Sequence, residues 1–505
     1  IGAVWTAPPR VQRMAMHHMH PSIDDFFQLL GPSLRETLAR DDSAGERALH
    51  KLWPKLAAEP IPLAATTRES RTQPSVALPA AQHVVLIFID SLSRRRLPPW
   101  GYSRPNAPNI TDLAATATRF DRAESVAAQT DLATTALFYS LVPFLNLDKS
   151  RAYREGHGGV PVHLLLRNLG FEVGMFSADW EAHDAGHGPL FPERCSTFID
   201  ARGPFPPALQ AEVDRWAGVP EHHLVDRLLQ WAPGVDREGK RFFAYFKALR
   251  PHEPYHSPTE AGAWRPPFQP AASSYGIFDF HPSPSRRALL LNRADNAIHY
   301  TDYQIGRLIE GLKAAGLWQK TAVILIADHG EAWGEHLLYG HGVQHYEEFL
   351  EVPLLVRIPG QEPAVDNRMA SILDVGPTIL DVLGLPDEAL FEGRSLIDRS
   401  WSRRSRLSLS NNAGMLLSIE VDGLKAIWAP ATDERWLFDR RNDPAEQHNL
   451  AWIPGWAEHE VGLIALMKHQ MRRQLSHMER LRKLGLVIDG DSRGTIAALK
   501  GPQTP

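Results

Sequence analysis

The 505-residue chain is longer than one ordinary hydrophobic core supports, which implies two or more domains or one large α/β domain with an appendage. Hydrophobic residues make up 43% and charged residues 22%, the balance of a globular protein, and a net charge of -5 leaves no electrostatic footprint for nucleic acid. No window reaches the ~18 apolar residues that span a bilayer, and the single cysteine, Cys195, has no intrachain partner and reads as structural.

Residues 1–80 read as an N-terminal extension: a His/Met/Pro-rich start, a helical stretch "SIDDFFQLLGPSLRETLAR", and a Ser/Thr/Pro linker "TTRESRTQPSVALPA". The chain starts at Ile1 with no initiator Met and no visible signal peptide. The expectation is a bacterial envelope protein, periplasmic or on the outer face of the inner membrane, with a membrane anchor upstream of Ile1.

From His83 the texture changes. Short apolar runs such as "HVVLIFID", "FEVGMFSA", "RFFAYFKAL", "TAVILIADHG" and "VPLLVRIPG" alternate with segments of helical period, including "YQIGRLIEGLKAAGL". That alternation predicts a mostly parallel sheet covered on both faces, spanning residues 81–400. Near Arg406 the rhythm shifts to "RLSLS", "GMLLSIEV", "LKAIWA" and "ERWLFDR", a small antiparallel sheet, followed by a long basic helix around 457–485. Residues 401–505 therefore form a C-terminal subdomain.

In open α/β sheets ligands gather at the carboxyl ends of strands. Two runs end in acid: "VVLIFID" on Asp90, and "TAVILIAD" on Asp328, followed by His329, Gly330 and Glu331. A lone Asp after a strand is commonly a turn former, whereas two such acids with a histidine supply the donors of a divalent cation. "SVAAQTDLATTALFYSLVP" puts Thr130 at or near a helix N-terminus, where exposed N–H groups favour an anion or a developing alkoxide. On these residues alone the favoured reading of Thr130 is an N-cap, with Asp131 in the first turn.

The order of "IDSLSRRRLPPWGYSRPNAPNITDLAATATRF", the Thr130 segment, "PHEPY", "DHGEAWGEH" with "EEFLEVPLLVRIPG", "ILDVGPTILDVLGLP" with "EGRSL", and "LFDRRNDPAEQHNLA" resembles the sulfatase family of the alkaline phosphatase superfamily. The similarity runs from about residue 83 to about 455. It implies an alkaline-phosphatase-like large mixed sheet flanked by helices, with a smaller C-terminal antiparallel subdomain. It further implies that Asp90, Asp328, His329 and Thr130 hold one or more divalent metals (Mn, Zn, Ca or Mg), with Thr130 in the nucleophile position. By the same resemblance His252 contacts the ester oxygens or leaving group and His341 faces the substrate, while His336 and His345 are peripheral.

The chain departs from that pattern twice. Sulfatases proper carry a Cys or Ser in Cys/Ser-x-Pro-x-Arg, matured to formylglycine, whereas Thr130, Asp131, Leu132, Ala133 and Thr134 stand here. The acidic pair after the first strand has become Asp90-Ser91. A threonine nucleophile is similar to the phosphodiesterase, phosphoethanolamine-transferase and lipoteichoic-acid-synthase branches. The function expected is phosphoryl transfer or phosphodiester cleavage, with a phosphate- or sulfate-ester substrate, lipid or glycan in kind. The alternatives are sulfate-ester hydrolysis without formylglycine and a non-catalytic anion-binding protein of this fold. The Pro- and aromatic-rich residues 256–287 read either as a lid over the site or as an ordered surface loop.

Overall fold

The computed structural model describes residues 42–58, 81–143, 161–179, 195–201, 203–216, 218–257, 264, 284–385, 391–411 and 414–483. The expected helical stretch and linker of the extension lie outside the described residues, as does most of 256–287.

The central sheet has eight strands: β1 (His83–Ile89), β2 (Thr118–Phe120), β3 (Glu172–Ser177), β4 (Thr197–Ile199), β5 (Phe242–Ala248), β6 (Thr321–Ala327), β7 (Leu354–Arg357) and β8 (Ala364–Asp366). Their order is β8-β2-β7-β6-β1-β5-β3-β4. Only β7 runs against its neighbours, so the sheet is mixed, as the resemblance implies. Every residue of β1, β5 and β6 is buried. That is why these strands read as unbroken apolar runs: helices cover both faces. The register pairs Ile89 with Ala248 on one side and with Ala327 on the other, so three neighbouring strands end level. Asp90, Leu249 and Asp328 therefore leave the sheet together.

Six helices matter below: α1 (Ser43–Leu52), α2 (Thr130–Tyr139), α3 (Pro207–Trp216), α4 (Glu221–Arg237), α5 (Pro284–Ala314) and α6 (Ala457–Lys483). On α4 the buried residues Leu224, Val225, Leu228, Ala232 and Val235 fall at helical spacing and form the face turned to the sheet. Helix α5 carries two buried acids that fasten the loop after β1. Asp295 accepts hydrogen bonds from Arg96, Tyr102, Arg104 and Asn106, and Asp302 accepts from the backbone N–H groups of Asn109 and Ile110. The long basic helix expected around 457–485 is α6. It packs on α1 through Lys51–Glu458 (2.7 Å) and Lys468–Asp42 (2.7 Å) pairs.

Four further strands, β9 (Ser405–Ser410), β10 (Leu416–Val421), β11 (Leu424–Ala429) and β12 (Glu434–Asp439), form the small antiparallel sheet in sequence order. It is tied by buried charges to the segments that follow β2 and precede β7. Arg440 reaches Glu124 (2.7 Å), Glu347 (2.6 Å), Glu351 (2.7 Å) and Glu420 (2.6 Å), and Arg406 bridges Glu124 and Glu420. The small sheet also grips the segment that leads into α2. Leu409 N–H donates to Val126 O (2.7 Å), Ala128 N–H to Ser410 Oγ (3.0 Å), and Gln129 and Asn411 exchange two bonds of 2.9 Å. The C-terminal sheet thus sets where Thr130 begins its helix.

Candidate active site

Three side chains meet at the level strand ends. Asp90, Asp328 and His329, all fully buried, place one donor atom each within 4.8 Å of one another. Thr130, the first residue of α2, points its hydroxyl at them, with Oγ1 3.2 Å from His329 Nε2 and 3.5 Å from Asp90 Oδ1. The N-cap reading of Thr130 is corrected: Gln129 holds that position and its side chain makes no capping bond, because that amide is committed to Asn411 and Asp131. The Thr130 hydroxyl is left to face the cluster, with the N-terminal end of α2 behind it.

Ser91, which stands in place of the second acid of the family's acidic pair, adopts a left-handed backbone (φ 58°). Its N–H donates to Asp328 Oδ1 (2.9 Å) and its hydroxyl to Asp90 Oδ1 (3.2 Å). Asp328 Oδ1 also accepts from His329 N–H (2.7 Å). The other oxygen, Asp328 Oδ2, is buried with no hydrogen-bond partner among the described residues, and His329 Nε2 lies 3.4 Å away. A buried carboxylate oxygen left bare is costly unless something positive meets it.

The electrostatics agree. Burial alone would raise the Asp90 carboxyl, but Lys247, 3.3 Å away, with His252, His329 and His341 holds it below the ordinary range. Burial, reinforced by the Asp90 charge, pushes Asp328 up to about 7. Burial brings His329 down to about 4, so its ring is neutral and its nitrogen free to donate a lone pair. Two facing carboxylates, a neutral imidazole and a hydroxyl fit a divalent cation, and the mixed donors suit Mn or Zn better than Ca. Asp90, Asp328, His329 and Thr130 would hold it.

The two outer histidines come to the same place. The His341 ring lies 4.6 Å from that of His329 and 4.8 Å from that of His252. His341 Nδ1 faces Glu331 Oε1 at 3.0 Å, and Tyr255 donates to Glu331 Oε2 (2.7 Å), so Glu331 orients His341 from behind. Burial pushes the Glu331 carboxyl up to about 8 and brings His341 down to about 4. His336 and His345 stand apart: His336 pairs with Glu348 (2.7 Å), and His345 bridges Ser410 and Ser418 of the small sheet (2.9 Å each). Cys195 is also remote in the fold, two residues before the edge strand β4, and burial pushes its thiol up to about 12. Lys247, which also pairs with Asp179 (2.7 Å), is the residue that the sequence reading missed. Its signal was a lone cation in an otherwise buried apolar strand.

Gly330 is required by close approach. A Cβ there would lie 2.1 Å from the carbonyl oxygen of Glu348, and Gly330 N–H donates to Phe349 O (2.7 Å). Gly330→Ala is therefore expected to cost about 1–3 kcal/mol through overpacking, read as a lowered urea midpoint with the m-value unchanged.

A sequence profile of the sulfatase family matches residues 82–385, more than half of the chain. The chain belongs to the sulfatase family. It is 30% identical over 161 residues to the uncharacterized sulfatase YidJ of Escherichia coli (30% of this chain, 32% of that one). It is 25% identical over 290 residues to the multifunctional alkaline phosphatase superfamily protein PehA of Trinickia caryophylli (46% and 56%). The chain spans from about a third to a little over half of the length of these curated relatives. Among solved structures, the phosphonate monoester hydrolase SpPMH of Silicibacter pomeroyi superposes with a TM-score of 0.62 at 20% identity, over 80% of this chain and 97% of that one. The fold is that of the alkaline phosphatase superfamily.

Proposed function

We propose that this protein is a divalent-metal-dependent ester hydrolase or transferase that cleaves phosphate or sulfate esters with Thr130 as nucleophile, phosphoryl transfer or phosphodiester cleavage being favoured. One observation carries the reading: the Thr130 hydroxyl stands at the start of α2, 3.2 Å from His329 and 3.5 Å from Asp90. A bound cation supplies charge neutralisation on the ester and lowers the pKa of a hydroxyl that it contacts. The chain's own groups do the rest. The end of α2 favours negative charge on the Thr130 oxygen, and Lys247 keeps Asp90 ionised as a ligand. Thr130 Oγ1 gives up its proton to solvent and attacks phosphorus, the leaving alkoxide departs and is protonated, and water or an acceptor alcohol then attacks the phosphothreonine, taking the phosphoryl group and freeing the Thr130 hydroxyl. His252 and His341, both only partly buried, are placed to meet the ester oxygens or the leaving group.

Sulfate-ester hydrolysis by an unmodified threonine is the second reading, favoured by the name of the YidJ relative. Turnover of a panel of phosphate monoesters, phosphate diesters and sulfate esters separates the two. A larger kcat/KM on sulfate esters than on any phosphate ester would reverse the order proposed. Metal content tests the non-catalytic alternative. The chain is expected to retain divalent metal through dialysis, and Asp328→Asn to lose one equivalent with at least a ~10-fold drop in affinity. A metal-free protein would favour a binding role.

Residues 81–400 are taken as the catalytic unit, with residues 1–80 and 401–505 appended. No helix among the described residues is long and apolar enough to cross a membrane. An envelope location is part of the proposal, and fractionation of the source cell tests it.

A further inference from the structure

A second group of metal-type donors lies away from the strand ends, on helices α3 and α4. His222 and His223 sit in the first turn of α4, with ring centroids 4.0 Å apart, and Glu212 of α3 faces both. His222 Nε2 is 3.7 Å and His223 Nε2 is 3.4 Å from the same oxygen, Glu212 Oε2, and one donor from each residue falls within 4.8 Å of the others. These spacings are too long for hydrogen bonds. The shorter matches the edge of a tetrahedron around Zn2+, about 3.4 Å for metal–ligand bonds near 2.1 Å, and the longer exceeds it by a few tenths of an ångström.

The surroundings leave the donors available. His223 Nε2 is buried and has no hydrogen-bond partner among the described residues. His222 Nδ1 lies 3.0 Å from the Tyr300 hydroxyl, which lets that nitrogen carry the proton and leaves the Nε2 lone pair free. The neighbouring acids are engaged elsewhere: Asp226 pairs with Arg307 (2.7 Å), and Glu221 accepts from the backbone N–H groups of Leu249 and Arg250 (3.0 Å each).

We infer that Glu212, His222 and His223 form a second, peripheral binding site for a Zn2+-class divalent cation, with water in the fourth position. Two imidazoles and one carboxylate with an open position suit Zn2+ and the neighbouring late first-row ions, and not Ca2+ or Mg2+. The cation clamps α3 to the first turn of α4. It does so beside Glu221, whose carboxylate holds the start of the loop that runs from β5 to His252. The site is independent of the chemistry at Asp90 and Asp328.

The test is metal stoichiometry on the full chain, stripped with chelator and reloaded with Zn2+ or Co2+. Glu212→Gln/His223→Gln should bind one equivalent less Zn2+ than the wild type, whatever the Asp90 cluster holds, and should lose the intense visible absorption of tetrahedral Co2+ belonging to this site. His222→Gln alone should weaken that equivalent at least about tenfold. His448→Ala, which removes an exposed histidine (side chain 82% accessible), should leave stoichiometry and spectrum unchanged. Equal melting temperatures of the stripped wild type and variants show that lost binding is not lost folding. Equal Zn2+ stoichiometry in wild type and double variant, or an unchanged Co2+ spectrum, would overturn the assignment.

Discussion

Thr130→Ala is expected to lower kcat by at least about 10⁴-fold on whichever ester the enzyme turns over best, because it removes the attacking oxygen while the rest of the site stands. Stability should move by no more than about 0.5–1 kcal/mol, since the hydroxyl caps nothing and fills no core cavity. Metal content should survive, because Asp90, Asp328 and His329 remain. Thr130→Ser should keep part of the activity, as it retains the oxygen and loosens only its rotamer. Steady-state kinetics and thermal melts on the two variants decide the point together. An active but destabilised Thr130→Ala protein would remove Thr130 from the chemistry.

The second large effect is on stability. Arg440→Ala should cost about 3–5 kcal/mol, since it strands Glu124, Glu347, Glu351 and Glu420 in a buried interface with too little positive charge. It should also loosen the grip of β9 on residues 126–129 and so impair catalysis at a distance, which kcat at low temperature, where the variant is folded, would reveal. A wild-type melting temperature in Arg440→Ala would show that Arg94, Arg95 and Arg406 suffice without it.

The same network sets an acid limit. Burial would raise the Glu351 carboxyl, but Arg94, Arg440 and Arg95 hold it down to about 2, and Glu420 is depressed in the same direction by Arg406 and Arg440 against its burial. A carboxylate depressed in the fold contributes stability that is fully present above its unfolded pKa, about 4.3, and is lost as pH falls through the folded value. Melting temperature should therefore fall between about pH 4.5 and pH 2, and Glu351→Gln should flatten that fall.

The parts of the site that sequence made legible are those carried by local pattern. The runs before Asp90 and Asp328 are continuous because β1 and β6 are covered on both faces, and an acid at the end of such a run marks the strand terminus. Thr130 was visible as the start of a helix, although its neighbour Gln129 takes the cap position. Ordered family motifs placed His252 and His341, which the fold brings within one ring contact of each other. What stayed hidden depends on distant pairing. Lys247 gains its meaning from Asp90 on the adjacent strand, and the Gln129–Asn411 clamp joins residues 282 positions apart. The buried acid–arginine network likewise joins Glu124 to Arg440, 316 positions on.

The stereochemical course of hydrolysis tests most directly whether Thr130 forms a covalent intermediate. A phosphorothioate diester of known configuration would be turned over in ¹⁸O-labelled water and the configuration of the product read. Attack by Thr130 followed by attack of water is two in-line displacements, so the account requires net retention at phosphorus. Inversion would mean a single displacement by water, and would contradict it.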